Sequence, residues 1–351
     1  MVLRIPVISS IEGLGAAVRA QLAASSAVVQ QVEVVEIPVP SQQVWALDAS
    51  QRQTLEDAEF VLADAGLGAK LLLDRANFLP KDAPNLLHQV QWVQSTYAGV
   101  EPFFQQLALA KGNAPPKFTL TRAGGIMPNA MAQYVFGWII TLERKFLEVQ
   151  TFQKQHKYAR DELKYRSFRL LTISILGLGE IGQGIGRLMR TAGFKVVGFK
   201  RRAGADDADK LKDSADRVSS DLDDVLSVAD FVVNVLPSTD ATRGLLNLES
   251  LQDCKNKKPV FINVGRGDVI KENELVAALD EGLFSKAVLD VFEKEPLPKE
   301  SLLWTHPSVL LTPHVSALSL PEEVADVFVK NLDRRLKEQE MLYPVDWTNG
   351  Y

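Results

Sequence analysis

Short apolar runs alternate with amphipathic stretches through the first third of the chain. Residues 2–8, 32–37, 60–63 and 90–95 predict strands, and residues 13–24 and 51–58 predict helices. This β/α alternation calls for a parallel sheet. Gly112-Asn113-Ala114-Pro115-Pro116 breaks the chain near the end of this unit. After Pro128, the apolar residues Met131, Tyr134, Val135, Trp138, Ile139, Leu142, Phe146 and Leu147 keep to one face of a helix of about 3.6 residues per turn, predicting one long helix over 128–150. That face needs a large partner: the core of its own domain, a second subunit, or both. From Leu170 the alternation resumes. Strands are expected at 173–176, 196–199, 231–236, 260–264, 287–291 and 309–311, and a last helix at 321–337. No internal repeat or low-complexity segment interrupts the pattern.

One of these strands leads into a motif with chemical content. The apolar run Leu170 to Leu176 ends at Gly177-Leu178-Gly179-Glu180-Ile181-Gly182, a G-x-G-x-x-G loop, and helix-like sequence follows as far as Gly193. Strand, glycine turn, helix, strand is the context in which this loop binds a dinucleotide. Gly177 permits the tight turn, Gly179 lets a pyrophosphate approach, and Gly182 lets the helix pack on the sheet. The helix start at Glu180 and Ile181 offers backbone N–H groups and positive dipole to the phosphates. About 20 residues further on, an NAD site presents an acid to the ribose hydroxyls. Here the second strand ends in Phe199-Lys200-Arg201-Arg202, three cations and no acid. Arginine can grip a 2′-phosphate that a carboxylate would repel, so NADP(H) is the expected cofactor, with NAD(H) as the second option.

Three polar motifs follow on later strand ends: Asn263-Val264-Gly265-Arg266-Gly267, Asp290-Val291-Phe292-Glu293-Lys294-Glu295-Pro296 and Thr312-Pro313-His314. In doubly wound sheets ligands bind beyond the carboxyl ends of the strands. An arginine, a glutamate and a histidine collected there point to hydride transfer onto an anionic carbonyl compound. Arg266 can hold carboxylate and carbonyl together, and His314 can protonate a carbonyl oxygen. The other three histidines, His88, His156 and His306, lie outside any comparable motif. Arg266-Gly267-Asp268 also spells a cell-adhesion triplet, but it opens a β/α turn here.

Composition narrows the setting. A length of 351 residues favours two domains, and 46% hydrophobic with 24% charged residues is ordinary for a soluble protein. The net charge of −5 gives no broad basic surface for nucleic acid. A single cysteine, Cys254, excludes an internal disulfide and fits a reducing compartment. No run approaches the roughly 18 apolar residues of a membrane span, and neither end carries a targeting pattern. The expectation is a cytoplasmic protein with no metal ion and no membrane partner.

These motifs, in this order, resemble the D-isomer-specific 2-hydroxyacid dehydrogenases, and within them the glyoxylate/hydroxypyruvate reductase branch. The resemblance is strongest over Gln91 to Gly99 and Gly177 to Ala317. Trp92-Val93-Gln94-Ser95-Thr96-Tyr97-Ala98-Gly99-Val100 is similar to the family's substrate loop, implying that Tyr97, Ala98 and Gly99 join Arg266 at the substrate. Leu236-Pro237-Ser238-Thr239-Asp240-Ala241-Thr242 is similar to its cofactor-contacting turn, implying roles for Leu236, Pro237 and Thr242 beside Val264, Gly265 and Ser316. Val345-Asp346 and Gly350-Tyr351 match its usual ending. The resemblance implies α/β architecture, with a Rossmann-type doubly wound cofactor domain (122–317, including the long helix) inserted into a flavodoxin-like substrate domain (1–121 and 318–351). It implies a homodimer, with the active site in the interdomain cleft. It selects Glu295 over Glu293 as the partner of His314. Asp290 resembles the residue that holds the nicotinamide amide, although a strand-terminal acid can also be structural.

The chain departs from the family in two places. Gln133 stands where a glutamate is common, and Tyr158 is the nearest aromatic where a tryptophan often follows the long helix. The implied reaction is NADPH-dependent reduction of a small 2-oxo acid to its (R)-2-hydroxy acid. The rival is a nucleotide-sensing regulator on the same fold. Formate oxidation fits poorly, because those relatives place glutamine where Glu295 stands, and no length remains for a phosphoglycerate dehydrogenase's regulatory domain.

Overall fold

The computed structural model describes the chain except for residues 1, 26–31, 41–44, 110–114, 203, 205–206 and 349–351, and the side chains of 207 and 208. Residues 112–114 of the expected breaker, and Gly350 and Tyr351, therefore lie outside the described residues. The chain divides into two compact units, Met1–Ile126 with Ser319–Tyr351, and Met127–Leu318.

In the first unit, β1 (Leu3–Ile8), β2 (Val32–Glu36), β3 (Phe60–Ala63), β4 (Trp92–Ser95) and β5 (Thr119–Thr121) form a parallel sheet in the order β2-β1-β3-β4-β5. This is the flavodoxin-like order, and the strand sequence reverses direction between β1 and β3. β3 and β4 are buried at every position, which explains the unbroken apolar run of β3, while β4 carries the buried polar residues Gln94 and Ser95. The Pro321–Leu336 helix returns to this unit and packs on the Leu14–Ala23 helix. Its Phe328 stacks on Trp92 with centroids 5.4 Å apart, a pairing that adds about 0.5–1.5 kcal/mol to the area buried. Below the stack lies a buried polar network. Trp92 Nε1 donates to Thr121 Oγ1 at 2.8 Å, and Thr121 and Asn331 both donate to Gln94 Oε1, at 2.8 and 2.9 Å. Every member is paired, as a buried polar group must be.

In the second unit, β6 (Thr172–Leu176), β7 (Lys195–Phe199), β8 (Arg217–Ser219), β9 (Phe231–Asn234), β10 (Val260–Asn263), β11 (Lys286–Leu289) and β12 (Val309–Leu311) form a parallel sheet ordered β12-β11-β10-β9-β6-β7-β8. Read from the other edge, this is the Rossmann order extended by one strand, with its reversal between β6 and β9. Several strands stop earlier than their apolar runs. Asn234 Oδ1 accepts the Leu236 N–H and Asn263 Oδ1 accepts the Gly265 N–H, so side chains take over from strand pairing.

The long helix differs from its expectation. It is two helices, Met127–Glu143 and Phe146–Lys154, separated by Lys145 in the left-handed region at φ 54°. Met131, Val135 and Ile139 of the first are buried, and that helix packs on Glu180–Thr191. A Cβ at Gly184 would lie 2.7 Å from Pro128 Cβ, so the glycine sets how closely they approach. Glu143 ends the first helix buried in an ion pair with Arg166 at 2.8 Å. The second leaves Phe146 and Leu147 exposed.

Candidate active site

The glycine loop leaves β6 beside the sheet's reversal. Gly177 has φ 104°, where a side chain would be strained, and Gly179 caps the Glu180–Thr191 helix with no side-chain bond. A Cβ at Gly182 would lie 1.9 Å from Gly177 O, so this glycine is a packing requirement. A Cβ at Gly179 would meet nothing within 4 Å, so the space over the helix start is open. An uncapped helix start below open space fits a pyrophosphate. Glu180 is exposed and Ile181 half-buried in the first turn. Lys200, Arg201 and Arg202 follow β7, the neighbour of β6; Lys200 is half-buried and both arginines are exposed.

On the other side of β6, Leu236 and Pro237 follow β9, with Leu236 against Gly177. Thr242 folds this turn on itself. Its Oγ1 donates to Pro237 O at 2.5 Å and accepts the Thr239 N–H at 2.9 Å. The sheet register sets Asn234 opposite Asn263, and Asn234 Nδ2 donates to Asn263 Oδ1 at 2.8 Å. Asn263 Nδ2 in turn donates to Arg266 O at 3.1 Å. This buried pair braces the turn that carries Val264, Gly265 and Arg266. Val264 and Gly265 are buried and Arg266 is half-buried, its Nη1 donating to Gly265 O at 2.8 Å. A Cβ at Gly267 would lie 1.9 Å from Phe292 C, so the Arg266 turn and the segment after β11 fit only through glycine.

The segments after the last two strands bring a glutamate and a histidine together. His314 Nδ1 lies 2.8 Å from Glu295 Oε2, and Glu295 Oε1 accepts the Phe292 N–H at 3.0 Å. With Nδ1 committed to the carboxylate, Nε2 is the nitrogen left for other chemistry; the imidazole is 50% exposed. Glu293 has a different occupation, accepting the Glu272 N–H at 3.0 Å at the start of the Glu272–Asp280 helix. His314 sits at φ 55°, an unusual conformation for a residue with a side chain. Asp290, fully buried after β11, holds it there. Asp290 O accepts the His314 N–H at 2.9 Å, while its carboxylate accepts from Thr312 Oγ1 at 2.5 Å and from the Val315 and Ser316 N–H groups at 2.9 Å. These three bonds leave one acceptor position of the carboxylate. Ser316 itself is 5% exposed, with Oγ 3.2 Å from Met131 Sδ.

The sequence assigns no role to two residues of this network: Thr312, which there only opens its motif, and Tyr134, which there only joins an apolar face. Thr312 spends its only hydroxyl hydrogen on Asp290, so the Tyr134 hydroxyl, 2.5 Å away, donates to it. Burial raises the Tyr134 phenol above its ordinary pKa, and the charge of Asp290 adds to this. Tyr134 is one helical turn beyond Met131 on the same apolar face, and nothing in that periodicity separates a packing tyrosine from a bracing one.

In the first unit, Tyr97, Ala98 and Gly99 follow β4; Tyr97 is exposed and the other two are half-buried. Ser95 Oγ ties this turn, donating to Tyr97 O at 3.0 Å and accepting the Tyr97 N–H at 3.1 Å. Among the described residues, no helix is long and apolar enough to cross a membrane.

Known proteins resemble this chain in sequence and fold. The family model described as D-isomer specific 2-hydroxyacid dehydrogenase, NAD binding domain, matches residues 136–316. The chain belongs to this family. It is therefore an oxidoreductase with an NAD(P)-binding domain of the Rossmann type. Glyoxylate/hydroxypyruvate reductase A of Yersinia enterocolitica is 31% identical over 255 residues, covering 72% of this chain and 79% of the relative. A D-isomer specific 2-hydroxyacid dehydrogenase from Xanthobacter autotrophicus, solved with NADPH and MES, superposes with a TM-score of 0.75 at 27% identity over 100% of both chains. An NADPH-dependent glyoxylate/hydroxypyruvate reductase from Sinorhizobium meliloti, solved with NADP and sulfate, superposes with a TM-score of 0.74 at 26% identity over 99% of this chain and 100% of that one.

Proposed function

We propose that this 2-hydroxyacid dehydrogenase reduces small 2-oxo acids such as glyoxylate and hydroxypyruvate to (R)-2-hydroxy acids, with NADPH as the preferred cofactor. The observation that carries the reading is the His314–Glu295 contact of 2.8 Å at the ligand edge of the sheet, with Arg266 two strands away on the same edge. Relatives named glyoxylate/hydroxypyruvate reductase supply the substrate class.

Gly177, Gly179 and Gly182 would hold the pyrophosphate with the N–H groups of Glu180 and Ile181, and Lys200, Arg201 and Arg202 the 2′-phosphate. Leu236, Pro237, Thr242, Val264, Gly265, Asp290 and Ser316 complete the proposed cofactor set. Asp290 takes part through its remaining acceptor position and Ser316 through its backbone, since its hydroxyl is buried against Met131. When bound, the nicotinamide supplies the hydride. The remaining work falls to side chains. Arg266 presents a planar fork that grips the substrate carboxylate and orients the carbonyl. Ala98 and Gly99 offer backbone N–H groups to the carboxylate, and Tyr97 shapes that loop. His314 gives a proton from Nε2 to the carbonyl oxygen as its carbon accepts the hydride. Glu295 holds the ring at Nδ1 and so fixes which nitrogen, Nε2, is free to face the substrate.

Phe146 and Leu147, each 51% exposed on one short helix, support a homodimer. A cytoplasmic location accords with the single cysteine. The test is NADPH absorbance after adding 2-oxo acids to the purified protein, with NADH alongside. Steady loss with glyoxylate or hydroxypyruvate is expected; no turnover of any 2-oxo acid by a protein that still binds NADPH would replace the reductase with the nucleotide-sensing reading.

A further inference from the structure

Asp64 lies at the C-terminal end of β3, only 6% exposed, and its carboxylate is fully engaged. It accepts from Ser9 Oγ at 2.5 Å, Ser10 Oγ at 2.7 Å, the Ser10 N–H at 2.8 Å and Thr96 Oγ1 at 2.7 Å. The donors sit just after β1 and β4, the two strands that flank β3 in the sheet. One carboxylate thus ties together three strand exits at the edge where ligands bind in such sheets, beside the reversal between β1 and β3.

Two features mark this as more than loop packing. Asp64 occupies the cap position of the Ala65–Leu73 helix yet makes no side-chain cap bond. An aspartate there ordinarily accepts from its own helix's first turn, and this one faces the neighbouring loops instead. The second feature is Tyr97. Burial raises its phenol first, the charge of Asp64 adds to this, and its hydroxyl hydrogen-bonds with Ser10, whose own hydrogen goes to Asp64. Asp64 therefore reaches the Thr96–Gly99 segment directly through Thr96 and indirectly through Ser10 and Tyr97.

We propose that Asp64 is a positioning residue for substrate, holding Thr96 and Tyr97 so that the Ala98 and Gly99 N–H groups are set for the substrate carboxylate. The proposal rests on the reductase reading above. Four neutral donors fill the acceptor capacity of a carboxylate, whereas an amide has one acceptor oxygen and would turn its own NH2 toward some of those donors. The loop would then lose its fixed aim while the apolar core below it stays intact.

The experiment uses the full chain in steady-state reduction of glyoxylate by NADPH, with Asp64→Asn, Thr96→Val and Thr96→Ser, plus a fluorescence titration of NADPH. Asp64→Asn and Thr96→Val should raise KM for glyoxylate about tenfold or more, the effect of losing one hydrogen bond to a charged group. In both, kcat and NADPH affinity should stay within about threefold, since neither residue joins the proposed hydride or proton chemistry. Thr96→Ser keeps the hydroxyl and should behave as wild type. Should Asp64→Asn fail to fold, the Thr96 pair decides. An unchanged KM in folded Asp64→Asn, or equal KM in Thr96→Val and Thr96→Ser, overturns the role. So does an equal loss of kcat and NADPH affinity. If wild type turns over no 2-oxo acid, the reductase reading fails and takes this role with it; active wild type with unaltered variants overturns the positioning role alone.

Discussion

His314 adopts its left-handed backbone because Asp290 takes both its N–H and the loop around it, and that posture sets Nδ1 on Glu295. Removing the ring by His314→Ala should lower kcat by about 10²–10⁴, the range for a positioned acid, with KM for glyoxylate changed far less. Glu295→Gln keeps the shape and loses the charge, and its effect should vanish in the His314→Ala background because the two act as a unit. Additive losses measured across that double-mutant cycle would separate them. Cys254 is the opposite kind of residue. Burial first, then the charge of Asp253, push its thiol up to about 12, so the folded protein presents no thiolate at neutral pH. Alkylation by iodoacetamide should be negligible until denaturant is added. Its folded value exceeds the unfolded one of about 8.5, so stability is full below that pH and falls as pH rises toward 12. The types and order of Arg266, Glu295 and His314 could be read from the sequence. The bracing by Asn234, Asn263, Thr312 and Tyr134 could not, because it depends on which strand ends become neighbours.

At the scale of elements, glycines separate packing from binding. Gly182→Ala places a Cβ 1.9 Å from Gly177 O and should destabilise the second unit by about 1–3 kcal/mol. Gly179→Ala meets nothing within 4 Å, so thermal unfolding should shift little while NADPH affinity drops. Equal affinity in Gly179→Ala and wild type would mean that the helix start is not the pyrophosphate site. Most strands were legible because buried parallel strands are largely apolar runs, as in Phe60–Ala63 and the first three residues of Phe231–Asn234. The Ala65–Leu73 helix, two glycines among alanines and leucines directly after β3, carries too little polar contrast to show a period. The short edge strands Thr119–Thr121 and Arg217–Ser219 are too brief to alternate. The split at Lys145 was hidden because apolar spacing continues across it, into a helix whose Phe146 and Leu147 face outward.

For the molecule as a whole, the proposed assembly and cofactor choice are open to direct measurement. Phe146→Asp with Leu147→Asp should shift sedimentation from dimer to monomer, and an unchanged dimer would place the interface elsewhere. Arg201→Ala with Arg202→Ala should cut kcat/KM for NADPH about tenfold or more and leave that for NADH nearly unchanged, since only NADPH carries the 2′-phosphate. The doubly wound and flavodoxin-like sheets were expected from the β/α pattern and the resemblance together, while the proposed NADPH preference rests on three side chains after one strand. The central claim is that Arg266 and His314 act together on a carbonyl that bears a carboxylate. Its most direct test is the ratio of kcat/KM for glyoxylate to that for acetaldehyde, measured with NADPH on the wild-type enzyme. Loss of a charge-assisted grip of about 1.5–3 kcal/mol per bond predicts a ratio of about 100 or more, whereas comparable efficiency on the two compounds would contradict carboxylate recognition by Arg266.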